Sequence, residues 1–517
     1  MQCVNYLFLV LILTPILSTF SAKILGLFLY PSRQHALLGT ALFAELSAKG
    51  HEVTMISTFE QPMVQKKFRH VLVDGTQIRQ KYSPSLMSLN VSMWEHIVFS
   101  NSEMKYMIAE LLEDSSLREF LDAGEKYDVV VSELFAEALL GISHRVNATT
   151  VSFNPTGGSY ELDYLSGNSH PYSYVPNAFT AYSDEMTFWQ RFANTYVNLF
   201  CAFSKHFFNL PMQRSLLKYY FPDAPPLEDL MNSVELHLVN SYYLFETPRP
   251  YLPNVVQIGG FHLQKPELLT VELLKQLDEL KNGIILFTVG SHRKLSDFPV
   301  QIVETLFASF SKSSHNVLVQ YEGPPPSNLP ANVRLMPWLP QRAVLSHPNT
   351  KLFITPGGRS SVVEAIYFAV PMVGLHAPGD DDSQLSMMAN RGFGVCFRLD
   401  EELREEQLSG AIRNVVADPV YKRAIMLESE LFKRQEMSPL DKAVYWVEHV
   451  AKHKGAKRVK SQPAAAMPLY KYVLLDVVVA SAALLVMFAF ISLWLCKQTY
   501  RVLIRRRQTE PVKHKIV

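Results

Sequence analysis

The residues between Trp338 and Asp382 carry more recognisable chemistry than other stretches of this length in the chain. Leu352 to Thr355 is a short apolar run, Gly357-Gly358 forms a tight turn, and Ser361 to Ala369 has the pattern of a helix. Glycines let the backbone approach a diphosphate, and the amides at the start of a helix favour an anion. The stretch therefore predicts a phosphate-binding turn.

Side chains around this turn could complete a nucleotide site. Arg359 would add positive charge beside the diphosphate, and Trp338 with Gln341 offers an indole face and an amide to a flat base. The run Asp380 to Asp382 follows a second apolar strand and could accept hydrogen bonds from sugar hydroxyls. The alternative is an ordinary helix start, because Ser361 and Glu364 also have the spacing of a capping box.

A candidate base lies near the amino terminus. Ile24 to Tyr30, Gly39 to Ala48 and Val53 to Ser57 form a β-α-β pattern, which predicts a parallel, doubly wound α/β sheet. His35 lies in the predicted loop after the first strand, where such sheets bind ligands. Imidazole can take a proton from a hydroxyl near neutral pH, although a plain surface histidine is the alternative.

Such a base works best when a carboxylate holds its other ring nitrogen. Asp128 to Ser132 is typical of a later strand of the same sheet, and Glu133 follows at its carboxyl end. Asp128 itself starts the strand, at the wrong end of the sheet. We therefore predict that Glu133 is the partner of His35, with Glu137 on the following helix as the second candidate.

The motifs in the second half resemble the signature of the UDP-glycosyltransferase family, which includes the UDP-glucuronosyltransferases. The matching segments are W-L-P-Q at 338–341, H-P at 347–348, T-P-G-G-R-S-S-V-V-E-A at 355–365 and V-P-M-V-G at 370–374. A further match, P-R-P-Y-L-P-N-V-V-Q-I-G-G at 248–260, is similar to the segment that closes the first domain. The resemblance implies a GT-B fold, with two Rossmann-like doubly wound α/β domains facing a cleft.

The resemblance also implies roles for individual residues. Trp338 would stack on uracil, Gln341 would contact the nucleoside, and Glu364 would bind the ribose hydroxyls. The first-loop histidine is where the family keeps its base, which matches His35, and Glu133 stands where the family places an aspartate partner. The implied diphosphate contacts are Ser291, Thr355, Gly358, Ser360 and Ser361, to which the turn itself adds Gly357 and Arg359, and the implied sugar contacts are Asp380 and Asp381.

Two positions depart from the family pattern. Pro356 replaces the histidine before the glycine pair, and Asp381 replaces the glutamine of the acidic-Gln pair. These changes remove an imidazole from the diphosphate and an amide from the sugar. They support a second hypothesis, a catalytically weakened or silent relative that binds lipophilic ligands or modulates active relatives.

Both ends of the chain carry membrane-related signals. The chain has 517 residues and a formal net charge of +1, which gives no indication of a nucleic-acid partner. Tyr6 to Ile16 is a short apolar run before small residues, which predicts a secretory signal peptide. Val477 to Cys496 is uncharged and long enough for a bilayer, and the arginines at 505–507 follow it. A basic tail predicts a cytosolic carboxyl terminus and luminal catalytic domains.

Shorter signals agree with this topology. Lys513 and Lys515 have the spacing of an endoplasmic-reticulum retrieval signal, and Asn90 and Asn147 lie in glycosylation sequons. Asn147 is close to a predicted strand and could be hidden by it. Cys201 and Cys396 lie far apart in sequence and show no metal-ligand spacing.

We divide the chain into seven segments on these grounds. The predicted segments are a signal peptide (1–22), an acceptor-binding domain (23–262), a linker (263–282), a UDP-sugar-binding domain (283–440), a return helix and spacer (441–471), a transmembrane helix (472–496) and a basic cytosolic tail (497–517).

An aromatic pattern interrupts the α/β rhythm of the first domain. Large apolar residues recur at helical spacing from Phe188 to Phe207. Packing of this face against the sheet is the favoured interpretation, and an apolar acceptor pocket or a membrane contact are the alternatives.

The resemblance thus implies an inverting transferase that moves a hexosyl group from UDP-glucose or UDP-glucuronic acid to a hydroxyl of a small lipophilic acceptor. These donors are co-substrates, and we predict no further cofactor and no metal. The predicted partners are the donor, the acceptor and a membrane. A homo- or hetero-oligomer is left open.

Overall fold

The computed structural model describes residues 20–61, 67–76, 78, 93–180, 182–263, 270–290, 294–326, 328–376, 382–400, 402–472 and 474–509. The side chains of 93–102, 382, 383, 466, 469 and 506–509 are outside this description. Most of the predicted signal peptide, the predicted site residues Ser291, Asp380 and Asp381, and the sequon residue Asn90 also lie outside the described residues.

The first half of the chain folds around a sheet of seven parallel strands in the order β3-β2-β1-β4-β5-β6-β7. The strands are β1 (Lys23–Phe28), β2 (Glu52–Ser57), β3 (Phe68–Leu72), β4 (Val129–Glu133), β5 (Thr149–Asn154), β6 (Leu236–Val239) and β7 (Val255–Gln257). The helices of this half are α1 (Arg33–Ala48), α2 (Met93–Glu113), α3 (Ser115–Asp122), α4 (Leu140–Arg145), α5 (Tyr160–Ser166), α6 (Phe188–Ser204), α7 (Leu210–Tyr220) and α8 (Leu227–Ser233). A π-helical turn (Lys205–Asn209) joins α6 to α7, and 3-10 turns cover Glu137–Leu139 and Phe261–Leu263.

The second half folds around six parallel strands in the order β10-β9-β8-β11-β12-β13. These strands are β8 (Ile284–Phe287), β9 (Asn316–Gln320), β10 (Val333–Met336), β11 (Thr350–Thr355), β12 (Met372–His376) and β13 (Gly394–Arg398). The helices are α9 (Val271–Asp278), α10 (Val300–Ser311), α11 (Gln341–Ser346), α12 (Arg359–Tyr367), α13 (Asp382–Asn390), α14 (Glu405–Ala417), α15 (Pro419–Lys433) and α16 (Pro439–His453), with 3-10 turns at Leu295–Asp297 and Lys457–Val459.

Both sheets are covered on two faces, which explains why their strands are continuous apolar runs. All five residues of β4 are buried, for example. The return helix α16 packs back on the first sheet, where Leu440, Val444 and Val447 join the core of β1 and β4. The two sheets and their helices belong to one compact unit that ends at Ser461. The predicted α/β architecture of two doubly wound sheets is confirmed.

Strand order in each sheet reverses at one point, and open α/β sheets bind ligands at such points. In the first sheet the reversal lies between β1 and β4, whose Leu27 and Ser132 are in register. In the second sheet it lies between β8 and β11, where Phe287 is opposite Ile354. The loops that follow these four strands therefore open crevices at the carboxyl ends of the sheets.

The second unit, residues 462–517, contains the carboxyl-terminal helices α17 (Gln462–Ala466), α18 (Leu469–Tyr472) and α19 (Leu475–Thr509). Its segment Leu475–Arg505 is long and apolar enough to cross a membrane, and none of its most apolar 18-residue stretch is buried. Such a surface would be costly in water, so the helix has the composition of a membrane span.

Two expectations from the sequence are wrong. The aromatic residues of α6 were expected to pack against the sheet, but Phe188, Trp189 and Phe192 are exposed. His35 was expected in a loop, but α1 already begins at Arg33 and is capped by the Ser32 side chain, which accepts from the His35 amide. The serine cap extends the helix backward beyond its apolar pattern.

Candidate active site

The His35 ring lies at the carboxyl end of the first sheet and contacts Glu133. The distance from His35 Nδ1 to Glu133 Oε1 is 2.6 Å, and the two side chains are 13% and 3% exposed. Glu133 is the last residue of β4, and His35 sits in the first turn of the helix after β1. The reversal of strand order between β1 and β4 therefore brings the pair together. A carboxylate that accepts the Nδ1 proton selects the tautomer in which Nε2 can accept a proton from a substrate hydroxyl.

Tyr30 packs against the His35 side of this pair. Its ring stacks on the His35 ring with the centroids 5.3 Å apart and an interplanar angle of 27°. Desolvation, together with the nearby charge of Glu133, raises the pKa of the Tyr30 phenol to about 12. Tyr30 therefore stays neutral at physiological pH and acts as a ring contact for the imidazole.

Glu137, the second candidate for the partner of His35, has another role. It is buried and forms an ion pair with Lys205 from the π-helical turn. The Lys205 ammonium also donates to Asn209 Oδ1 at 3.0 Å. Buried charges need such partners, so Glu137 secures the junction of α6 and α7.

Three residues of the predicted nucleotide site meet in the second half of the chain. The Gln341 amide nitrogen donates to Glu364 Oε2 at 2.7 Å and to Ser361 Oγ at 3.1 Å. The hydroxyl of Thr288, just after β8, donates to the side-chain oxygen Oε1 of Gln341 at 3.4 Å. Glu364 is buried inside α12, whose start is capped by Gly358 without a side-chain hydrogen bond. The capping-box alternative for Ser361 and Glu364 is therefore wrong.

The glycine turn before α12 is required by its packing. Gly357 has a φ of +90°, and a Cβ there would lie 2.3 Å from Leu385 Cγ. Its amide donates to the Thr355 hydroxyl at 3.3 Å, which fixes the turn at the end of β11. Gly358 is exposed, and Ser360 lies in the first turn of α12. Pro356 is buried in this turn, so the position contributes neither an imidazole nor an amide N–H to an anion.

The indole of Trp338 faces the first half of the chain. The guanidinium of Arg33 lies over the Trp338 ring, with Cζ 3.9 Å from the ring centroid. Arg33 precedes His35 by two residues on α1, so this cation–π contact brings the candidate base and the candidate base-stacking residue to one cleft. Trp338 itself is 38% exposed.

Arg359 points to the first half of the chain, although the sequence suggested a diphosphate contact. Its guanidinium pairs with Glu246 at 3.8 Å and packs on the backbone of Gly157, where a Cβ would lie 2.5 Å from Arg359 Cζ. The next residue, Gly158, leaves similar space for Glu246 and Arg249. The pair Gly157-Gly158 therefore admits charged side chains from both halves. A polar cavity of about 30 Å³ beside them has room for a water molecule and is too small for a sugar.

Sequence reasoning missed His262. Its Nε2 atom is 3.4 Å from Glu364 Oε1, both side chains are buried, and its carbonyl oxygen accepts from Arg342 at 2.6 Å. It lies in the 3-10 turn that closes the first half, directly after the Gly259-Gly260 pair. The sequence signal that could have identified His262 was its position two residues after the matched segment 248–260.

Among the described residues, no group of three or more histidine, cysteine, aspartate or glutamate side chains could hold a metal ion. Asn147 is exposed and has a left-handed backbone, so the neighbouring strand does not hide it. Cys201 and Cys396 are free thiols.

Two doubly wound halves, one with the His35–Glu133 pair and the other with the Gln341–Ser361–Glu364 cluster, form a GT-B fold. Solved structures share this architecture. The spinosyn forosaminyltransferase SpnP aligns with a TM-score of 0.56 and 17% identity over 83% of this chain and 99% of that protein. Os79 from O. sativa, solved in complex with UDP, aligns with a TM-score of 0.52 and 18% identity over 83% of this chain and all of Os79.

The chain belongs to the family described as UDP-glucoronosyl and UDP-glucosyl transferase, whose sequence profile matches residues 21–510. UDP-glucosyltransferase 2 of Dactylopius coccus is 28% identical over 92% of this chain and 93% of that protein. UDP-glucuronosyltransferase 1A3 of Homo sapiens is 31% identical over 93% of this chain and 92% of its own length. The protein is therefore a UDP-glycosyltransferase, an enzyme that transfers a sugar from a UDP-sugar.

Proposed function

We propose that this enzyme transfers glucose or glucuronic acid from the UDP-sugar to a hydroxyl of a small lipophilic acceptor, with inversion at the anomeric carbon. The observation that carries the proposal is the 2.6 Å contact between His35 Nδ1 and Glu133 Oε1 at the cleft. Glu133 holds the ring in the tautomer whose Nε2 faces substrate, and it stabilises the imidazolium that forms.

The donor would occupy the cradle of the second half. Trp338 would stack on uracil, Glu364 would accept hydrogen bonds from the ribose hydroxyls, and Gln341 and Ser361 would line the nucleoside and diphosphate. The acceptor oxygen would attack the anomeric carbon from the face opposite UDP while its proton passes to His35. Backbone amides at the start of α12 would stabilise the charge on the departing diphosphate, because the dipole of this nine-residue helix favours an anion there.

A displacement assisted by a general base needs only side chains and backbone amides of the protein, so we propose no cofactor. Three aspartates at 380–382 would disfavour a glucuronate carboxylate, which makes UDP-glucose the first donor to test. We place the catalytic halves in the lumen of the endoplasmic reticulum, because the retrieval-like lysines and the arginine cluster both follow the apolar helix.

Incubation of microsomes with each labelled UDP-sugar and a panel of phenols and steroids tests the proposal. We expect a glycoside whose anomeric configuration, read by NMR, is opposite to that of the donor. The His35→Gln variant should bind UDP normally and lose transfer. Retained configuration in the product, or undiminished transfer by this variant, would refute the mechanism.

The same preparation tests topology and the effect of Pro356. Asn147 is exposed, so luminal placement predicts a glycan that endoglycosidase removes from intact microsomes only after permeabilisation. Restoring the family residues with Pro356→His and Asp381→Gln should increase transfer, because each returns a polar group to the donor site.

A further inference from the structure

His262 is a buried histidine that lies against the donor cradle but has no part in the reaction proposed above. Its side chain is 4% exposed, and its Nε2 atom lies 3.4 Å from Oε1 of Glu364, whose side chain is 3% exposed. The two residues come from different halves of the chain. His262 belongs to the 3-10 turn Phe261–Leu263, and Glu364 belongs to α12. The contact therefore connects the first half to the carboxylate that we propose for the ribose.

The two carboxylate oxygens of Glu364 face different partners. Oε2 accepts from the side-chain amide of Gln341 at 2.7 Å, whereas Oε1 faces the His262 ring. A buried carboxylate needs hydrogen-bond donors at its oxygens, because burial removes the water that would otherwise solvate the charge. An imidazole whose Nε2 carries a proton is such a donor. His262 is therefore placed to fix the oxygen that Gln341 does not contact.

The imidazole of His262 has hydrogen-bonding capacity in reserve. Both ring nitrogens are buried, and neither makes a hydrogen bond to the part of the chain that the structure describes. A buried donor without an acceptor costs free energy, so a bond from Nε2 to Glu364 would be favoured. The distance of 3.4 Å is already short enough, and only the angle between donor and acceptor has to change.

The backbone around His262 is anchored in both halves of the chain. Phe261 belongs to the core under the first sheet, and Leu263 belongs to the core of the second half. The carbonyl oxygen of His262 accepts from the Arg342 guanidinium at 2.6 Å, and Arg342 follows Gln341 on α11. The imidazole is thus carried by a fixed turn, which suits a residue that has to orient another side chain.

Gly260 allows this turn to pack closely against the second half. Its φ of +80° is a left-handed conformation that other residues rarely adopt, and a Cβ there would lie 2.3 Å from Phe432 Cζ. The Phe432 ring is part of the core of the second half. The position of His262 is therefore set by direct packing between the halves, two residues before it.

We propose that His262 is a positioning residue for the donor, which holds Oε1 of Glu364 so that the carboxylate accepts from the ribose hydroxyls. This inference rests on the proposed role of Glu364 in the donor site. A carboxylate held at one oxygen by Gln341 and at the other by His262 has a fixed plane, and a diol that binds both oxygens requires that plane. The first half of the chain would thereby contribute to the affinity for the nucleotide.

Calorimetry on the full chain, purified in detergent, tests this role. The ligands are UDP and a UDP analogue whose ribose lacks both hydroxyl groups. His262→Met removes the donor at a similar volume, His262→Gln keeps an amide N–H at the reach of Nε2, and His262→Asn keeps the amide on a shorter side chain. The matched control is His51→Met, because His51 is also buried and its Nε2 lies 3.0 Å from Glu448 Oε1, away from the cleft.

We expect His262→Met and His262→Asn to weaken UDP binding by about 10-fold, which is the lower end for a hydrogen bond to a charged group. Affinity for the analogue should stay unchanged, and His262→Gln should restore most of the affinity for UDP. His51→Met should lower Tm and leave both affinities unchanged. Unchanged UDP affinity in the Met and Asn variants, or equal losses for both ligands, would overturn the proposal.

The comparison of His262→Gln with His262→Asn decides the question even where methionine impairs folding. Both variants bury an amide at the same position, and they differ in how far the amide reaches. Equal affinities of these two variants for UDP would therefore overturn the proposal, since a packing role does not depend on the position of a donor.

Glu364→Ala, measured in parallel, separates this inference from the donor site on which it rests. A selective loss of UDP affinity in Glu364→Ala that His262→Met does not reproduce would overturn the role of His262 alone. Equal losses for UDP and the analogue in Glu364→Ala would overturn the donor site and this inference with it. In the double variant we expect no loss beyond that of Glu364→Ala, because His262 acts through the carboxylate; additive losses would overturn the proposal.

Discussion

Shortening Glu133 to aspartate should slow sugar transfer although the side chain keeps its charge. The Oε1 atom of Glu133 lies 2.6 Å from His35 Nδ1. Removal of one methylene withdraws the carboxylate by ~1.5 Å, the length of a carbon–carbon bond. The contact then opens to roughly 4 Å, which is beyond hydrogen-bond distance. The variant therefore tests the length of the side chain while its negative charge is kept.

The size of the effect follows from the bond that is lost. A hydrogen bond to a charged group contributes about 1.5–3 kcal/mol, which corresponds to about 10- to 160-fold in rate. Glu133→Gln keeps the reach but removes the charge that stabilises the imidazolium. Its loss should be larger, on the order of 100- to 10,000-fold, the range typical of general-base catalysis.

The assay is kcat at saturating UDP-sugar and acceptor, with KM for the donor measured in parallel. KM should change little, because Glu133 belongs to the sheet opposite the nucleotide cradle. The control is Glu448→Gln, which alters a second histidine–glutamate pair, His51 Nε2 to Glu448 Oε1 at 3.0 Å. That pair lies at the amino end of β2, away from the cleft, so kcat should be retained. Full kcat in Glu133→Asp, or an equal loss in Glu448→Gln, would refute the assignment.

Three further predictions concern the donor site and stability. The guanidinium of Arg359 contacts the first half of the chain. Arg359→Ala should therefore change the affinities for UDP and for uridine, measured by calorimetry, by the same factor. A loss of affinity confined to UDP would show that Arg359 contacts the diphosphate. Glu364→Gln should weaken UDP binding by about 10- to 100-fold but leave a dideoxyribose analogue unaffected, since in the proposed complex the carboxylate accepts from the ribose hydroxyls; equal losses would contradict this role. Hydrogen bonds from Lys23 and Arg69 lower the pKa of Glu125 from 4.5 to about 2, so this carboxylate stabilises the fold above pH 4.5, and that contribution is lost as the pH falls toward 2. Glu125→Gln should remove this part of the dependence of Tm on pH, and an unchanged curve would show that Glu125 does not couple to folding.

The fold and part of the site could be predicted because their signals are local. A strand covered on both faces is a continuous apolar run, as at β4, and the end of such a run gives the position of Glu133. Strand direction then excluded Asp128 as the partner of His35. The glycine turn before α12 was predictable for a similar reason, since Gly357 needs a positive φ and lacks space for a Cβ.

The remaining features depend on contacts between segments far apart in sequence. The spacing around Arg359 cannot show that its guanidinium packs on Gly157, about two hundred residues earlier. The periodicity of α6 describes a helix with one aromatic side, but it does not say whether that side faces the sheet or the outside. Buried Asn194 and Asn198 decide the question, and their burial follows from hydrogen bonds to Asn177.

If uracil stacks on Trp338 as proposed, it must compete with the guanidinium of Arg33, which lies over that indole. A ring face accommodates one flat partner at van der Waals distance, so uracil that stacks on this face must displace the arginine. The measured affinity for UDP would then be a difference between two stacking energies. Displacement would also release α1, the helix that carries His35, from the opposite half at the moment the donor arrives.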